Sequence, residues 1–163
     1  MPIRPTPEGT YGTKAPGGKL LKTFFETLSK RGIESYRRTG GTNRMTRMMP
    51  PSTVLLTTKG AKSGVERPVF VGGFADGDDA WLVIASNSGS ARHPAWLKNM
   101  AAHPDGIWLQ IGSRKMKVRG ESLTGAAREE ALRRISAKVP LYGKYQTKTD
   151  REIPIVRLTR ISD

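Results

Sequence analysis

Three short apolar runs separated by tight turns constrain the fold of this chain more than any other feature. The runs cover residues 53–58, 66–74 and 80–86, and the turns between them are KGAKSG and DGDD. Turns this short join antiparallel neighbours, because a parallel pair needs a crossover of about a dozen residues or more. The sequence therefore predicts an antiparallel meander.

The elements that follow the meander suit a small barrel. A helix is predicted from Pro94, since proline is favoured in a first helical turn. Two strands are predicted in GIWLQIG and KMKVRGESL, a helix in GAAREEALRRISAKV, and a last strand in IPIVRLTRI after a short LYGKYQT segment. The order β-β-β-α-β-β-α-β has too few helices for a doubly wound sheet. We expect a mainly β, antiparallel barrel with flanking helices over residues 50–163.

The N-terminal third divides into an arm and a helix. Residues 1–18 are rich in Pro, Gly and Thr, which predicts a flexible arm. Residues 19–49 are predicted to be an amphipathic helix and a loop, and two alternatives stay open for the helix. It packs on the domain's own core, or residues 19–38 make peripheral contact with anionic lipid. The apolar stripe that carries both alternatives consists of Leu20, Leu21, Phe24, Phe25 and Leu28.

Composition excludes several kinds of chemistry. The chain has no cysteine and only two histidines, so thiolate nucleophiles, disulfides and a cysteine- or histidine-based metal cluster are not expected. The formal net charge of +14 raises the local concentration of anions, which keeps nucleic acid, anionic lipid and a phosphorylated cofactor as candidate ligands. The N-terminus lacks the apolar core of a signal peptide, and a cytoplasmic protein is expected.

Two loops rich in hydrogen-bond donors are candidate anion sites. In TTKGAKSGVERP, residues 57–68, glycines allow backbone N–H groups to face outward toward a ligand, and Lys and Arg add positive charge. In ASNSGSARHPAWLKNM, residues 85–100, hydroxyl and amide side chains precede the predicted helix start at Pro94. Either loop alone reads equally well as a solvated turn. Two such loops at successive strand ends favour one shared anionic ligand.

The chain resembles a known family in three blocks. These are LLTTKGAKSGVERP, VIASNSGSARHPAWLKNMAAHPD and YGKYQTKTDREIPIVRL, which together resemble the deazaflavin-dependent nitroreductases over about residues 50–160. The resemblance implies a split β-barrel of the type that also binds flavin mononucleotide (FMN), and the reduced deazaflavin coenzyme F420 as hydride donor. It implies an enzyme that reduces a quinone, an activated C=C bond or a nitro compound as its small-molecule electron acceptor. The alternatives are an FMN-binding oxidoreductase and a cofactor-binding protein without turnover.

The resemblance also implies roles for particular residues. Tyr142 and Tyr145 would line the substrate side as catalytic residues, and Lys62 and Arg67 would hold the cofactor's phosphate and acidic tail. Val139 and Gly72 stand where this family has tyrosines, so the residues around the substrate pocket of this chain differ from the family pattern. No nucleic acid is expected as a partner, and the protein is expected to be a monomer or a dimer. The residues expected to contact the cofactor are Thr57, Lys59, Lys62, Ser63, Gly64, Arg67, Pro68, Ala85, Ser86, Asn87, Arg92, Trp96 and Asn99.

Overall fold

Six antiparallel strands close into a barrel in the order β1-β2-β3-β6-β5-β4. The computed structural model describes residues 2–14, 19–42, 44–47 and 52–162, with side chains of the N-terminal helix described from residue 29 onward. The strands are Thr53–Lys59 (β1), Glu66–Ala75 (β2), Ala80–Ile84 (β3), Trp108–Ile111 (β4), Arg114–Ser122 (β5) and Ile155–Arg160 (β6). The helices are Lys19–Thr39 (α1), Arg44–Arg47 (α2), Ala95–Ala102 (α3), Gly125–Lys138 (α4) and Pro140–Thr147 (α5).

This architecture confirms the predicted fold class, a mainly β antiparallel barrel with flanking helices. β1, β2 and β3 form the predicted meander. Three of the strand pairings that close the barrel join distant parts of the sequence: β1 pairs with β4, and β6 pairs with both β3 and β5. The LYGKYQT segment lies within a further helix, α5.

Both faces of β3 are buried because α4 covers the outside of the barrel at this strand. Successive side chains of a strand point to opposite faces. In β3, Trp81 and Val83 belong to the interior cluster, whereas Leu82 and Ile84 pack outward in a cluster that includes Ile135 of α4. This double burial explains why β3 reads as a continuous apolar run instead of an alternating one.

The second half of α1 packs on the barrel. Ile33 and Tyr36 are buried against Leu55 of β1 and Phe70 of β2, and the rings of Tyr36 and Phe70 meet edge to face with centroids 5.5 Å apart. This contact agrees with the packed alternative for residues from Ile33 onward. The predicted stripe Leu20, Leu21, Phe24, Phe25 and Leu28 lies outside the described side chains.

The N-terminal residues 2–14 form an extended strap along the barrel. Ile3 is buried in the interior cluster, and the hydroxyl of Thr6 donates to the carbonyl oxygen of Glu152 at 2.6 Å. The N–H and hydroxyl of Thr10 both donate to the carboxylate of Asp150. The composition of this segment predicts a flexible arm. The described part is instead held by long-range hydrogen bonds, because its Thr and backbone groups find partners on the 149–152 segment.

Candidate functional site

A cleft of about 760 Å³ opens between the two predicted loops and α5. This volume lies within the roughly 300–1,000 Å³ range of small-molecule and cofactor sites. Ten of the residues predicted from the sequence line it. They are Lys62, Ser63, Arg67, Pro68, Ser86, Asn87, Trp96, Asn99, Tyr142 and Tyr145.

The turn between β1 and β2, residues 60–65 and here called the basic loop, forms one end of the cleft. The N–H of Gly60 donates to the carbonyl oxygen of Val65, and the N–H of Gly64 donates to that of Gly60, both at 2.8 Å. Gly64 adopts a φ of +67°, a conformation that side chains disfavour. Lys62 and Arg67 are exposed and form no ion pair within the described ranges. This end of the cleft therefore presents two available cations to a ligand.

Asn99 of α3 holds the basic loop and the end of β1 through two side-chain hydrogen bonds. Its side-chain oxygen accepts a hydrogen bond from the N–H of Ala61 at 3.0 Å, and its amide nitrogen donates to the Thr58 hydroxyl at 3.1 Å. Asn99 lines the cleft but is 8% exposed. Because its oxygen and one amide proton are already used, Asn99 acts in this structure mainly by positioning the loop.

Residues 85–93, here called the wall loop, form a second side of the cleft. Asn87 and Ser88 have positive φ values of 43° and 55°, and Gly89 follows at 79°. Non-glycine residues in this region carry backbone strain, which persists only where surrounding contacts hold it and which clusters at functional sites. The side chain of Asn87 supplies one such contact by donating to the carbonyl oxygen of Arg92 at 3.0 Å.

Two tyrosines of α5 form a further side of the cleft, next to Gly72 of β2. The rings of Tyr142 and Tyr145 meet edge to face at 6.0 Å, and Phe74 packs against Tyr142 in the same way at 5.8 Å. Tyr142 is half-buried, and burial, assisted by Tyr145, raises the pKa of its phenol. A phenol with a raised pKa stays protonated at neutral pH, so Tyr142 can donate a hydrogen bond or a proton into the cleft.

Five of the predicted contact residues do not line the cleft. Strand alternation explains the position of Thr57: it shares the outward face of Leu55 under α1, where it lies 3.5 Å from a guanidinium nitrogen of Arg37. Ala85 is fully buried, and Gly64 serves the turn instead of the cleft surface. The remaining two are the exposed side chains of Lys59 and Arg92.

Ten further residues of the cleft were not predicted as site residues, and four of them, Val69, Phe70, Val71 and Ile84, are apolar strand residues. The first three lie on β2, directly after the basic loop, and this position is the usable signal, since a strand that follows a ligand-binding loop borders the same ligand. His93 was also missed, although it lies beside the predicted helix start. The missed lining residues are Gly60, Val69, Phe70, Val71, Gly72, Ile84, Ser88, His93, Pro94 and Ala95.

Comparisons with known proteins identify relatives of this chain. An F420H(2)-dependent quinone reductase of Mycobacterium tuberculosis is 35% identical over 130 residues, which cover 77% of this chain and 85% of that protein. A solved F420-H2 dependent reductase, FDR-A, is 34% identical and superposes with a TM-score of 0.60 over 66% of this chain and 93% of its own. A solved domain-swapped dimer is 29% identical, with a TM-score of 0.62 over 85% of this chain and 98% of its own.

The family assignment rests on most of the chain. The model of the family described as F420H(2)-dependent quinone reductase matches residues 28–160, which include the barrel, both loops and the tyrosines of α5. The match confirms the predicted kind of enzyme, a deazaflavin-dependent oxidoreductase of split-barrel fold. This chain therefore belongs to the F420H(2)-dependent quinone reductase family.

Proposed function

We propose that this protein binds reduced F420 in the cleft and uses it to reduce a quinone. The observation that carries the proposal is the arrangement of the cleft, in which the cations Lys62 and Arg67 lie at and beside the basic loop and the phenol of Tyr142 lies farther along β2, against Gly72. A cofactor with an anionic tail and a reactive ring needs these two environments in one site. Family membership supports reduced F420 as the cofactor and a quinone as the acceptor.

The residues of the cleft fit this cofactor on chemical grounds. Guanidinium and ammonium groups without ion-pair partners suit phosphate and carboxylate groups, since charge-assisted hydrogen bonds are the strong ones. The wall loop and Trp96 would border the ring, with Trp96 7% exposed at the cleft surface. When bound, the reduced deazaflavin supplies the hydride, which is chemistry that no side chain here supplies.

Tyr142 would complete the reduction by supplying the proton. A quinone takes up two electrons and two protons in all: the hydride brings both electrons and one proton, and the other proton comes from an acid. The hydroxyl of Tyr142 is protonated at neutral pH, a state that burial favours further by raising its pKa, and it can donate to the acceptor oxygen as negative charge develops there. Solvent then restores the proton to the phenolate. Tyr145 would orient Tyr142 through their edge-to-face contact.

Oxidation of reduced F420 by a panel of acceptors tests this function. We expect the protein to accelerate oxidation by a benzoquinone or naphthoquinone, followed by the absorbance of the oxidised deazaflavin. An activated C=C substrate and a nitro compound in the same panel test the broader acceptor range. Cofactor binding without acceleration by any acceptor would replace the reductase with a cofactor-binding protein.

We also propose that the part of α1 from residue 29 onward contacts a membrane, where it does so, by electrostatic attraction of its basic side chains to anionic lipid. The apolar side chains Ile33 and Tyr36 are used in packing on the barrel. The basic side chains of this half are exposed, namely Lys30, Arg31, Arg37 and Arg38. None of the described helices is long and apolar enough to cross a membrane. Sedimentation with vesicles containing phosphatidylglycerol, at low and high salt, tests this contact, and salt-insensitive binding would contradict it.

The oligomeric state belongs to the same proposal. One solved relative is a domain-swapped dimer, which supports a dimer for this chain. Size-exclusion chromatography with light scattering over a range of protein concentrations decides between monomer and dimer.

A further inference from the structure

A buried guanidinium lies beneath the wall loop. Arg151 is 1% exposed, and its side chain donates to three carbonyl oxygens of the loop. The distances are 3.0 Å to Ala85, 2.9 Å to Ser86 and 3.1 Å to Ser90. A planar fork of fixed donors is what allows one side chain to hold three backbone oxygens at once. Arg151 itself does not line the cleft, so it acts from the protein side of the loop.

His93 completes the contacts of this guanidinium. Its Nδ1 atom lies 2.9 Å from a terminal nitrogen of Arg151, and its Nε2 atom lies 2.6 Å from the carbonyl oxygen of Thr6. Arginine only donates and a carbonyl only accepts, so Nδ1 must be the acceptor and Nε2 must carry the hydrogen. His93 is thus a neutral ring of one defined tautomer, and it links Arg151 to the N-terminal strap.

The carbonyl contacts determine where the neighbouring N–H groups point. All described peptide bonds are trans, and in a trans peptide the N–H is directed opposite to the carbonyl of the same unit. Since the oxygens of Ala85 and Ser86 face Arg151, the N–H groups of Ser86 and Asn87 face the other way. Both residues line the cleft, and within the described residues neither N–H is hydrogen-bonded.

We propose that Arg151 is a positioning residue that turns the N–H groups of Ser86 and Asn87 into a pair of donors for an electron-rich oxygen of the bound cofactor. The inference rests on the proposed function for the identity of the ligand. The strained backbone at Asn87 and Ser88 is consistent with it, because such a conformation needs an external hold and the Arg151 fork supplies one. The TDREIPIV block of the sequence, residues 149–156, supplies both the Arg151 fork and several contacts with the strap. Within it Thr149, Asp150 and Glu152 bind the strap, whereas Arg151 binds the loop.

The charge of Arg151 reinforces the geometry. No carboxylate of the described residues lies within ion-pair distance of its guanidinium. At contact distance this cation is compensated by carbonyl dipoles and a neutral imidazole, and the more distant carboxylate of Glu8, itself paired with Lys98, adds a further attraction. The buried guanidinium keeps a positive potential on this side of the cleft. Electron-rich oxygen atoms are therefore favoured there by both hydrogen bonding and field.

The matched pair Arg151→Lys and Arg128→Lys tests the proposal. Arg128 is also buried, at 3% exposure, and also binds a backbone carbonyl, that of Ile153, but it does not touch the wall loop. Lysine keeps the charge in both variants and removes the fork. We expect the dissociation constant for F420, measured by fluorescence, to rise about tenfold or more in Arg151→Lys and to stay within about twofold in Arg128→Lys.

Hydrogen exchange of the protein without cofactor gives a readout that does not depend on activity. Faster exchange of the wall-loop amides in Arg151→Lys, and not in Arg128→Lys, is the expected result. Wild-type affinity and wild-type exchange in Arg151→Lys would overturn the proposal. If the wild-type protein does not bind F420, the proposed function fails, and the exchange experiment still decides the positioning role.

The tautomer of His93 provides a test that needs no variant. Nitrogen NMR of the wild-type protein at neutral pH should show His93 protonated at Nε2 and unprotonated at Nδ1. A ring protonated at Nδ1, or a doubly protonated ring, could not accept from Arg151 and would overturn the cluster. This result stands even if Arg151→Lys does not fold.

Discussion

The hydroxyl of Tyr142 lies against the backbone of Gly72, in space that a Cβ atom on Gly72 would overlap. Gly72 belongs to β2 and Tyr142 to α5, so the contact joins two walls of the cleft across a long sequence separation. Phe74 fixes the tyrosine ring from the side. The absence of a side chain at Gly72 thus leaves the space that the hydroxyl of Tyr142, the proposed proton donor, occupies.

Substituting Gly72 tests this relationship through a double-mutant cycle. Gly72→Ala should destabilise the protein by about 1–3 kcal/mol, the usual range for overpacking, because the new methyl group displaces Tyr142. Tyr142→Phe removes the overlapping oxygen, so the same substitution should cost less in that background. Urea denaturation of the four proteins gives the coupling. Equal costs in both backgrounds would contradict the contact.

Removing only the hydroxyl of Tyr142 should affect turnover more than cofactor binding. Tyr142→Phe keeps the ring and its packing and deletes the proposed acid, a group that typically contributes about 10²–10⁴-fold to rate. We expect kcat with a quinone to fall by at least about tenfold, and the F420 dissociation constant to change by less than about twofold. Tyr11→Phe is the control, since Tyr11 is 59% exposed on the strap. Unchanged turnover in Tyr142→Phe would remove the proton role.

Substitution of Lys62 or Arg67 by alanine should weaken cofactor binding with little change in folding stability. Each loses a hydrogen bond to a charged group, worth about 1.5–3 kcal/mol, which corresponds to roughly tenfold or more in affinity. Both variants should also show a shallower salt dependence of binding than wild type. Lys144→Ala removes an exposed lysine outside the cleft and should behave as wild type. Wild-type affinity in both cleft variants would exclude them from the site.

Stability should fall as the pH drops below the ordinary histidine pKa of 6.5. Burial, followed by the charge of Arg151, lowers the pKa of His93, while the Thr6 carbonyl and Glu8 act in the opposite direction and Lys98 adds a small lowering effect. The folded state therefore binds fewer protons than the unfolded state in the window between the two pKa values. This contribution to stability is complete above about 6.5 and is lost as the pH falls through the window.

A non-titrating mimic isolates the effect of His93. In His93→Gln the side-chain oxygen can accept from Arg151 and the nitrogen can donate to Thr6, so both contacts survive without a titrating ring. Urea midpoints between about pH 8 and pH 5.5 should decline less in the variant than in wild type. Parallel declines would show that His93 does not carry the pH dependence.

Local sequence pattern was enough to predict the six strands and the helices α1, α3 and α4. These elements follow from apolar runs and turn residues that act over a few positions, whereas α5 was expected only as a short segment. The position of β6 between β3 and β5 could not be predicted in this way, because barrel closure depends on contacts between distant segments. The ordered conformation of the strap could not be predicted for the same reason. Its Pro and Gly content indicates a loop, whereas its hydrogen-bond partner Asp150 lies about 140 residues away in the sequence.

The site residues that could be predicted from the sequence are those with charged or hydroxyl side chains in loops. Lys62, Arg67 and Ser86 were found because cations and hydroxyls in loops signal a ligand. Thr57 was misplaced because strand alternation turned it under α1. The contacts of Arg151 and His93 beneath the wall loop were not predicted, since a buried arginine with backbone partners has no distinctive local pattern.

Titration of the purified protein with oxidised F420, beside an identical titration with FMN, tests the central claim most directly. Fluorescence should show saturable binding of the deazaflavin at micromolar concentration or below, weakened by salt, and much weaker binding of the flavin. Preference for FMN, or binding of neither compound, would contradict the account.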